Sequence, residues 1–426
     1  MKKQLLNNLS WLFIDKVIRF WGGLIVGIWI ARYLGPYDFG VLNYAIAYTT
    51  LFLLFVKLGL NQIVVREIVK KPKLTNFLLG TAFLLKFFGS VIAVLSIIIS
   101  LCFVDMDSVT KVVIVIISLG FIFQTLDVID FYYQARILSK YVVITRDSAF
   151  ILSLFLKIYF IVYEYSIVYF AVAYLIDFLL SGLFLLMIFI NRGGKILDWR
   201  FSKKIAIRLI KLSWTLALAS FLIAIYMKID QVMIGSMLDA EQVGIYSVAV
   251  RLSEFWLFIP GIMISTFMPY LVSLRETNNK LYYFRLMQLY SLMFWMGIFI
   301  GIVVLFFGEG FIVLLFGEVY EGAYSALVYN IWSGIAISHG MVRGIWLICE
   351  NLQKYRLYSI IISVTLNVIM NYILIPLYGI DGAAIATLLT QSLSVWLFSF
   401  LWKPLRSSTL MMMEAINPMF FINFRK

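Results

Sequence analysis

Long apolar runs separated by short polar breaks dominate the chain, and most runs are longer than the core helix of a soluble domain. A hydrocarbon slab about 30 Å thick needs around 20 apolar residues per helix. By that measure the pattern predicts twelve spans, over 9–33, 40–60, 77–104, 109–134, 147–163, 166–190, 212–235, 243–274, 286–308, 323–348, 357–375 and 382–402. Helices satisfy their backbone polar groups within one segment, which lipid demands. The fold class expected is therefore an all-α polytopic membrane protein.

The largest polar break, "NRGGKILDWRFSKKIAIRLIK" at 191–211, divides these spans into six plus six. We expect an N-terminal lobe over 1–200, with 191–211 as a basic cytoplasmic connector lying on the headgroups, a C-terminal lobe over 201–402, and a cytoplasmic tail over 403–426. The halves resemble each other when slid by about 200 residues: "LSW" at 9–11 recurs at 212–214, and Leu34, Gly40, Ala45 and Thr49 fall opposite Leu238, Gly244, Ala249 and Ser253. Six spans bring the chain back to its starting side, so the repeat is parallel, with a pseudo-two-fold axis along the membrane normal.

Composition agrees: 63% of residues are hydrophobic, 13% are charged, and mean hydropathy is +0.97. A net charge of +13 would suggest nucleic acid in a soluble protein. Here the placement of the charge matters more. Of the 35 basic residues, 25 fall in the segments on one side of the predicted spans and none in the opposite loops, which makes that side, and both termini, cytoplasmic. No nucleic-acid partner is implied. Cys102 and Cys349 provide no disulfide framework, and a single histidine with no ligand-spaced cysteine pair leaves no metal or cofactor constellation. No glycine-rich phosphate loop precedes a helix, so the chain reads as a transporter, not an enzyme, driven by ion gradients, membrane potential or substrate concentration.

Charges inside spans are expensive, at about 2.5–3.5 kcal/mol each on insertion scales, and those that persist face a cavity or one another. Asp15 and Arg19 lie one turn apart in span 1, beside Gly22 and Gly23, and either line a hydrated cavity or pair within the helix. Asn43, Thr50, Lys57 and Asn61, spaced seven, seven and four, make one polar stripe running down span 2 to its cytoplasmic end; Lys57, close to that end, either meets substrate or snorkels. Span 7 carries Ser213, Ser220, Lys228 and Gln231, and span 8 aligns Ser247, Arg251, Glu254 and Ser265. Spans 1, 2, 7 and 8 are the repeat-related pairs, which points to a shared hydrated cavity of positive sign. Asp127 and Asp130 could instead answer the basic residues.

Four stretches, "LGPYDFGVLNYAIAY" (34–48), "FYYQARILSKYVVITR" (131–146), "KIDQVMIGSMLDAEQVGIYSVAVRLSE" (228–254) and "YGIDGAAIATLLT" (378–390), resemble the Wzx-type polysaccharide flippases of the multidrug/oligosaccharidyl-lipid/polysaccharide exporter superfamily. The resemblance implies two six-helix lobes in a V around a central cavity. It also implies an inner-membrane protein that moves undecaprenyl-pyrophosphate-linked oligosaccharide units, O-antigen or capsular in type, from the inner to the outer leaflet. Membrane lipids, and a proton or sodium ion as coupling ion, are the other partners implied. In the related lipid II flippases, cations of helices 1, 2 and 8 line the cavity, and Arg19, Lys57, and Arg251 with Glu254 match that arrangement; with Asp15 and Lys228 these are the candidate substrate-binding residues. Twelve helices instead of fourteen leave out any lipid groove built by two more. Two rivals stay open: a multidrug or cation antiporter of the same superfamily, which would place acids in its spans, and a membrane-embedded polysaccharide polymerase, which would present a large catalytic loop outside.

Overall fold

The computed structural model describes residues 2–418 and residue 420, with side chains described for Asn8 and from Ser10 onward. The side chains of Lys2 and Lys3, and residues Arg425 and Lys426, all counted above among the inward-facing basic groups, lie outside the described residues. Among the described residues every regular element is helical. In chain order the α-helices are α1 (Lys2–Thr50), α2 (Leu53–Lys57), α3 (Leu60–Lys70), α4 (Thr75–Leu101), α5 (Ser108–Phe123), α6 (Val128–Ala135), α7 (Ser139–Val162) and α8 (Ile167–Asn191). They continue with α9 (Lys203–Met237), α10 (Ala240–Thr277), α11 (Asn279–Phe316), α12 (Ala323–Cys349), α13 (Gln353–Ser392), α14 (Phe398–Leu401) and α15 (Arg406–Glu414).

Among the described residues, eight helical segments are individually long and apolar enough to cross a membrane, or nine when the bent pair Ser10–Thr50 and Leu53–Lys70 is taken as one span. The difference from twelve apolar runs has local causes. Every 18-residue window of α7 contains at least three charges, Arg146 and Asp147 always among them, so that helix has the length but not the composition of a free-standing span. α1 is broken at Gly35, which takes φ 71° and ψ 175° immediately before Pro36, and α13 is broken at Gly379 (φ 59°, ψ −136°). A residue before proline is pushed out of the helical region, and only glycine adopts a positive φ without strain.

The chain forms two compact units, Met1–Lys228 and Ile229–Lys426, the division falling inside α9. In the first unit α7 packs on α1 and α8, and α5 on α4 and α8. Its core gathers Leu60, Val64, Leu79, Val128, Ile129, Tyr133 and Leu185. The apolar positions Leu60, Ile63, Val64 and Ile68 recur at helical spacing, which explains why α3 continues to Lys70 instead of ending near 60. Leu58 and Gly59 both sit in the left-handed region (φ 48° and 61°), so the second span is jointed and the polar stripe expected along it is not one straight line. A Cβ on Gly59 would lie 2.5 Å from the Ala217 backbone nitrogen, so this glycine also permits α9 to approach.

In the second unit α10, α11 and α13 surround α12, the most buried helix. Its core includes Tyr282, Leu286, Tyr290, Met293, Val342, Ile345 and Trp346. The segment after 402, expected as a tail, makes a 3-10 turn over Lys403–Leu405 and then forms α15, which packs on α11 with Ser408, Thr409, Met411 and Met412 buried and with Tyr290 Oη 3.1 Å from Ser408 Oγ.

Candidate functional site

A cavity of about 350 Å³ in the first unit is lined by Lys57 and Asn61, by Lys86 of α4, by Asp127 and Asp130, by Arg146 of α7 and by Ser220 of α9. Four of its five charges neutralise one another. Arg146 donates to Asp127 at 2.9 Å and lies 3.1 Å from Asp130 through its other terminal nitrogen. Lys86, 3% exposed, sits 3.7 Å from Asp127 and donates to the Gln124 carbonyl at 2.8 Å. Two carboxylates and two cations therefore cancel in the wall, an arrangement that buried charges require. Lys57 is different: its ammonium makes no hydrogen bond or ion pair among the described residues, and its side chain is exposed at the end of the five-residue helix α2. The cavity keeps one uncompensated positive charge.

A second cavity of about 360 Å³ adjoins it and shares Asp130 and Arg146; Asn8, Asp15, Gln134 and Ser139 complete its polar lining. Arg19 Nε donates to Asp15 at 2.8 Å and stands 3.5 Å from Asp147 of α7, with its guanidinium 5.1 Å from the Phe150 ring. Both readings of Asp15 are thus realised: it pairs within its helix and lines a cavity. Arg19 faces two carboxylates.

In the second unit Arg251 and Glu254 are half-buried on α10, one turn apart, and Lys228 is half-buried on α9 as the last residue of the first unit. The structure therefore puts Lys57 and Asp15 on neighbouring cavities of one unit and Arg251 with Glu254 on one helix of the other, while Arg19, expected to line a cavity, lines neither of the two and binds Asp15 and Asp147 instead. Gln231 Nε2 donates to Ser247 Oγ at 3.0 Å, so these two members of the polar stripes on spans 7 and 8 bind each other.

Asp230 forms the other concentrated polar site. Its carboxylate accepts hydrogen bonds from Asn371 Nδ2 (2.7 Å), Thr387 Oγ1 (2.8 Å) and Tyr246 Oη (2.9 Å), while Asn367 stands 3.3 Å from both Asn371 and Thr387. Asn371 is fully buried, yet its Oδ1 has no hydrogen-bond partner among the described residues. One carboxylate, neutral oxygens from asparagine and threonine, and an orphaned carbonyl oxygen suit a hard monovalent cation. No cluster of three or more His, Cys, Asp or Glu side chains suited to a metal occurs among the described residues.

Sequence reasoning had Asp127 and Asp130 answering basic residues, as they do, but placed Arg146 in a cytoplasmic loop. The signal was available: a span of 147–163 is short for the bilayer, so its helix had to begin earlier and take Arg146 inside. Asn367 and Asn371 also went unnoticed, although two amides four residues apart in "VTLNVIMNYIL" share one face of an apolar helix.

Comparison with known proteins adds the following. The family described as "Polysaccharide biosynthesis protein" matches residues 5–275. The capsular polysaccharide biosynthesis protein CapF of Staphylococcus aureus is 24% identical over 423 residues, covering 94% of this chain and 99% of that protein. The probable flippase AglR of Haloferax volcanii is 28% identical over 179 residues, covering 39% of this chain and 36% of its own length. Among solved structures, the lipid II flippase MurJ in an inward closed conformation superimposes with a TM-score of 0.72 at 16% identity, covering 99% of this chain and 94% of that one.

Proposed function

Because the chain belongs to the polysaccharide biosynthesis protein family, a membrane transporter family and not an enzyme family, we propose that it flips undecaprenyl-pyrophosphate-linked oligosaccharide units, O-antigen or capsular in type, from the inner to the outer leaflet of a bacterial cytoplasmic membrane. The arrangement we propose is twelve spans in two six-helix lobes, both termini cytoplasmic, working by alternating access. The observation that carries the reading is the uncommitted ammonium of Lys57 in a cavity whose other charges are already matched. A pyrophosphate moved through a low-dielectric slab needs cations in place of its hydration. Lys57 supplies one on the lobe that holds Arg19 and Asp15, and Lys228 and Arg251, with Glu254 beside it, supply the others. The polar lining of the adjoining cavity, Asn8, Gln134, Ser139 and Asp15, matches sugar hydroxyls in hydrogen-bonding character.

The coupling ion in this proposal is sodium, held by the Asp230 carboxylate with Asn367, Asn371 and Thr387; the orphaned Asn371 Oδ1 supports the assignment. The antiporter reading is less well supported, because the first cavity's single uncompensated charge is a cation.

The test is translocation in proteoliposomes. A fluorescent lipid-linked oligosaccharide should become accessible to an external quencher at a rate that depends on the protein and on the sodium gradient. Lys57→Gln, equally abundant and folded, should lower that rate at sub-saturating substrate at least tenfold. Uptake of organic cations with no movement of the glycan lipid would overturn the proposal.

A further inference from the structure

The second unit contains a cavity that transport of a charged headgroup does not use. It measures about 560 Å³, within the range of small-molecule pockets, and its wall is apolar apart from Ser392, Thr409 and His339. Two of those three have their polar atoms engaged. His339 Nε2 lies 3.2 Å from the Tyr290 carbonyl and its Nδ1 3.4 Å from the Trp396 indole nitrogen, which requires the tautomer with hydrogen on Nε2 and fixes Trp396 as a wall. Thr409 Oγ1 bonds the Leu405 carbonyl at 3.4 Å. A polar solute entering here would shed its hydration for little in return. A hydrocarbon chain would not.

Where the cavity opens, the lining residues Leu397, Phe400, Met413 and Ile416 are exposed and apolar, and Leu397 and Phe400 belong to Gln353–Leu401, a segment long and apolar enough to cross a membrane. One wall is α15, whose Met412 and Met413 are flexible and polarizable and adapt to a branched, kinked chain better than rigid aliphatic walls do. Arg343, one turn from His339 and 5% exposed, binds the Val395 carbonyl at 2.8 Å and Ser399 Oγ, and it meets no carboxylate among the described residues. Val395 and Ser399 flank Trp396 and Phe400 of the cavity wall. A buried guanidinium without a counter-ion favours an anion near this wall.

We propose that this cavity holds the polyisoprenoid chain of the phosphorylated carrier lipid, with α15 as its adaptable wall. The inference rests on the flippase reading for the identity of the carrier. Its occupant combines what the site asks for: a methyl-branched hydrocarbon with an anionic phosphate at one end.

The experiment uses the full chain in liposomes with two photoactivatable diazirine probes, a polyprenyl phosphate and a phosphatidylglycerol of matched chain length. The prenyl probe should label peptides containing Trp396, Phe400 and α15 at least tenfold more than the acyl probe, and Leu393→Trp, which fills the cavity, should remove that labelling. Met413→Trp, at the exposed edge, provides a second filling variant if Leu393→Trp folds poorly. In the flipping assay the filled variants should raise the apparent KM for long-prenyl substrates about tenfold and leave short-prenyl analogues unchanged. Equal labelling by the acyl probe, or filled variants that handle long and short tails like wild type, would overturn the proposal. Failure of the flippase reading has a separate signature: wild-type protein that moves neither long nor short substrate.

Discussion

Replacing Asp230 by asparagine keeps the side-chain volume and removes the charge. Asp230→Ala would leave three donors, from Tyr246, Asn371 and Thr387, without an acceptor. At about 1–3 kcal/mol for each unsatisfied buried group that amounts to about 3–9 kcal/mol, enough to threaten folding. Asparagine retains one accepting oxygen, and the two hydroxyls can rotate, so its cost is on the order of 1–2 kcal/mol. For a bound monovalent cation the loss is larger. One unit charge about 4 Å away contributes about 4 kcal/mol at an effective dielectric of about 20, close to a thousandfold in affinity. Sodium at a hundred times its dissociation constant stabilises the folded wild type by about 2.7 kcal/mol. At about 2–4 °C per kcal/mol for a cooperative unit of this size, the wild-type melting temperature in detergent should rise about 5–11 °C when sodium replaces N-methylglucamine at constant ionic strength and pH. Asp230→Asn should fold and show no such rise. A sodium-dependent rise of wild-type size in Asp230→Asn would refute the reasoning.

Three further outcomes follow from the charge network and the topology. Arg146→Gln strands Asp127 and Asp130 with Lys86 alone; breaking a buried pair costs about 3–5 kcal/mol, and since the Arg146 side chain is 30% exposed the lower figure applies, visible as a melting temperature about 6–12 °C lower. Arg251→Gln should abolish surface polysaccharide at normal protein abundance, and the double variant Arg251→Gln with Glu254→Gln should stay inactive; full transport by the double variant means that Arg251 only neutralises Glu254. Reporter fusions after residues 36, 106, 240 and 320 should read outside and those near 200 and 280 inside, and a cytoplasmic reading at 240 defeats the six-plus-six topology.

The sequence by itself determined the medium and the class. Apolar runs of bilayer length follow from desolvation costs that act residue by residue, and the Lys and Arg bias among the connecting segments is a count over loops, so both are legible without coordinates. The same locality made Asp15 and Arg19 visible as a pair, since one helical turn separates them. What joins different helices was not visible in that way. The Arg146 bridge to Asp127 and Asp130, the approach of Asp147 to Arg19, and the convergence of Asn371 and Thr387 on Asp230 link residues 16 to 157 positions apart, and nothing in a helix's own periodicity selects its partner. The joint at Leu58 and Gly59 decided that Lys57 would end a short helix beside Lys86 instead of continuing a stripe. Tertiary packing alone made α15 a wall: its apolar positions became informative once α11 and α12 supplied the surface against which they are buried.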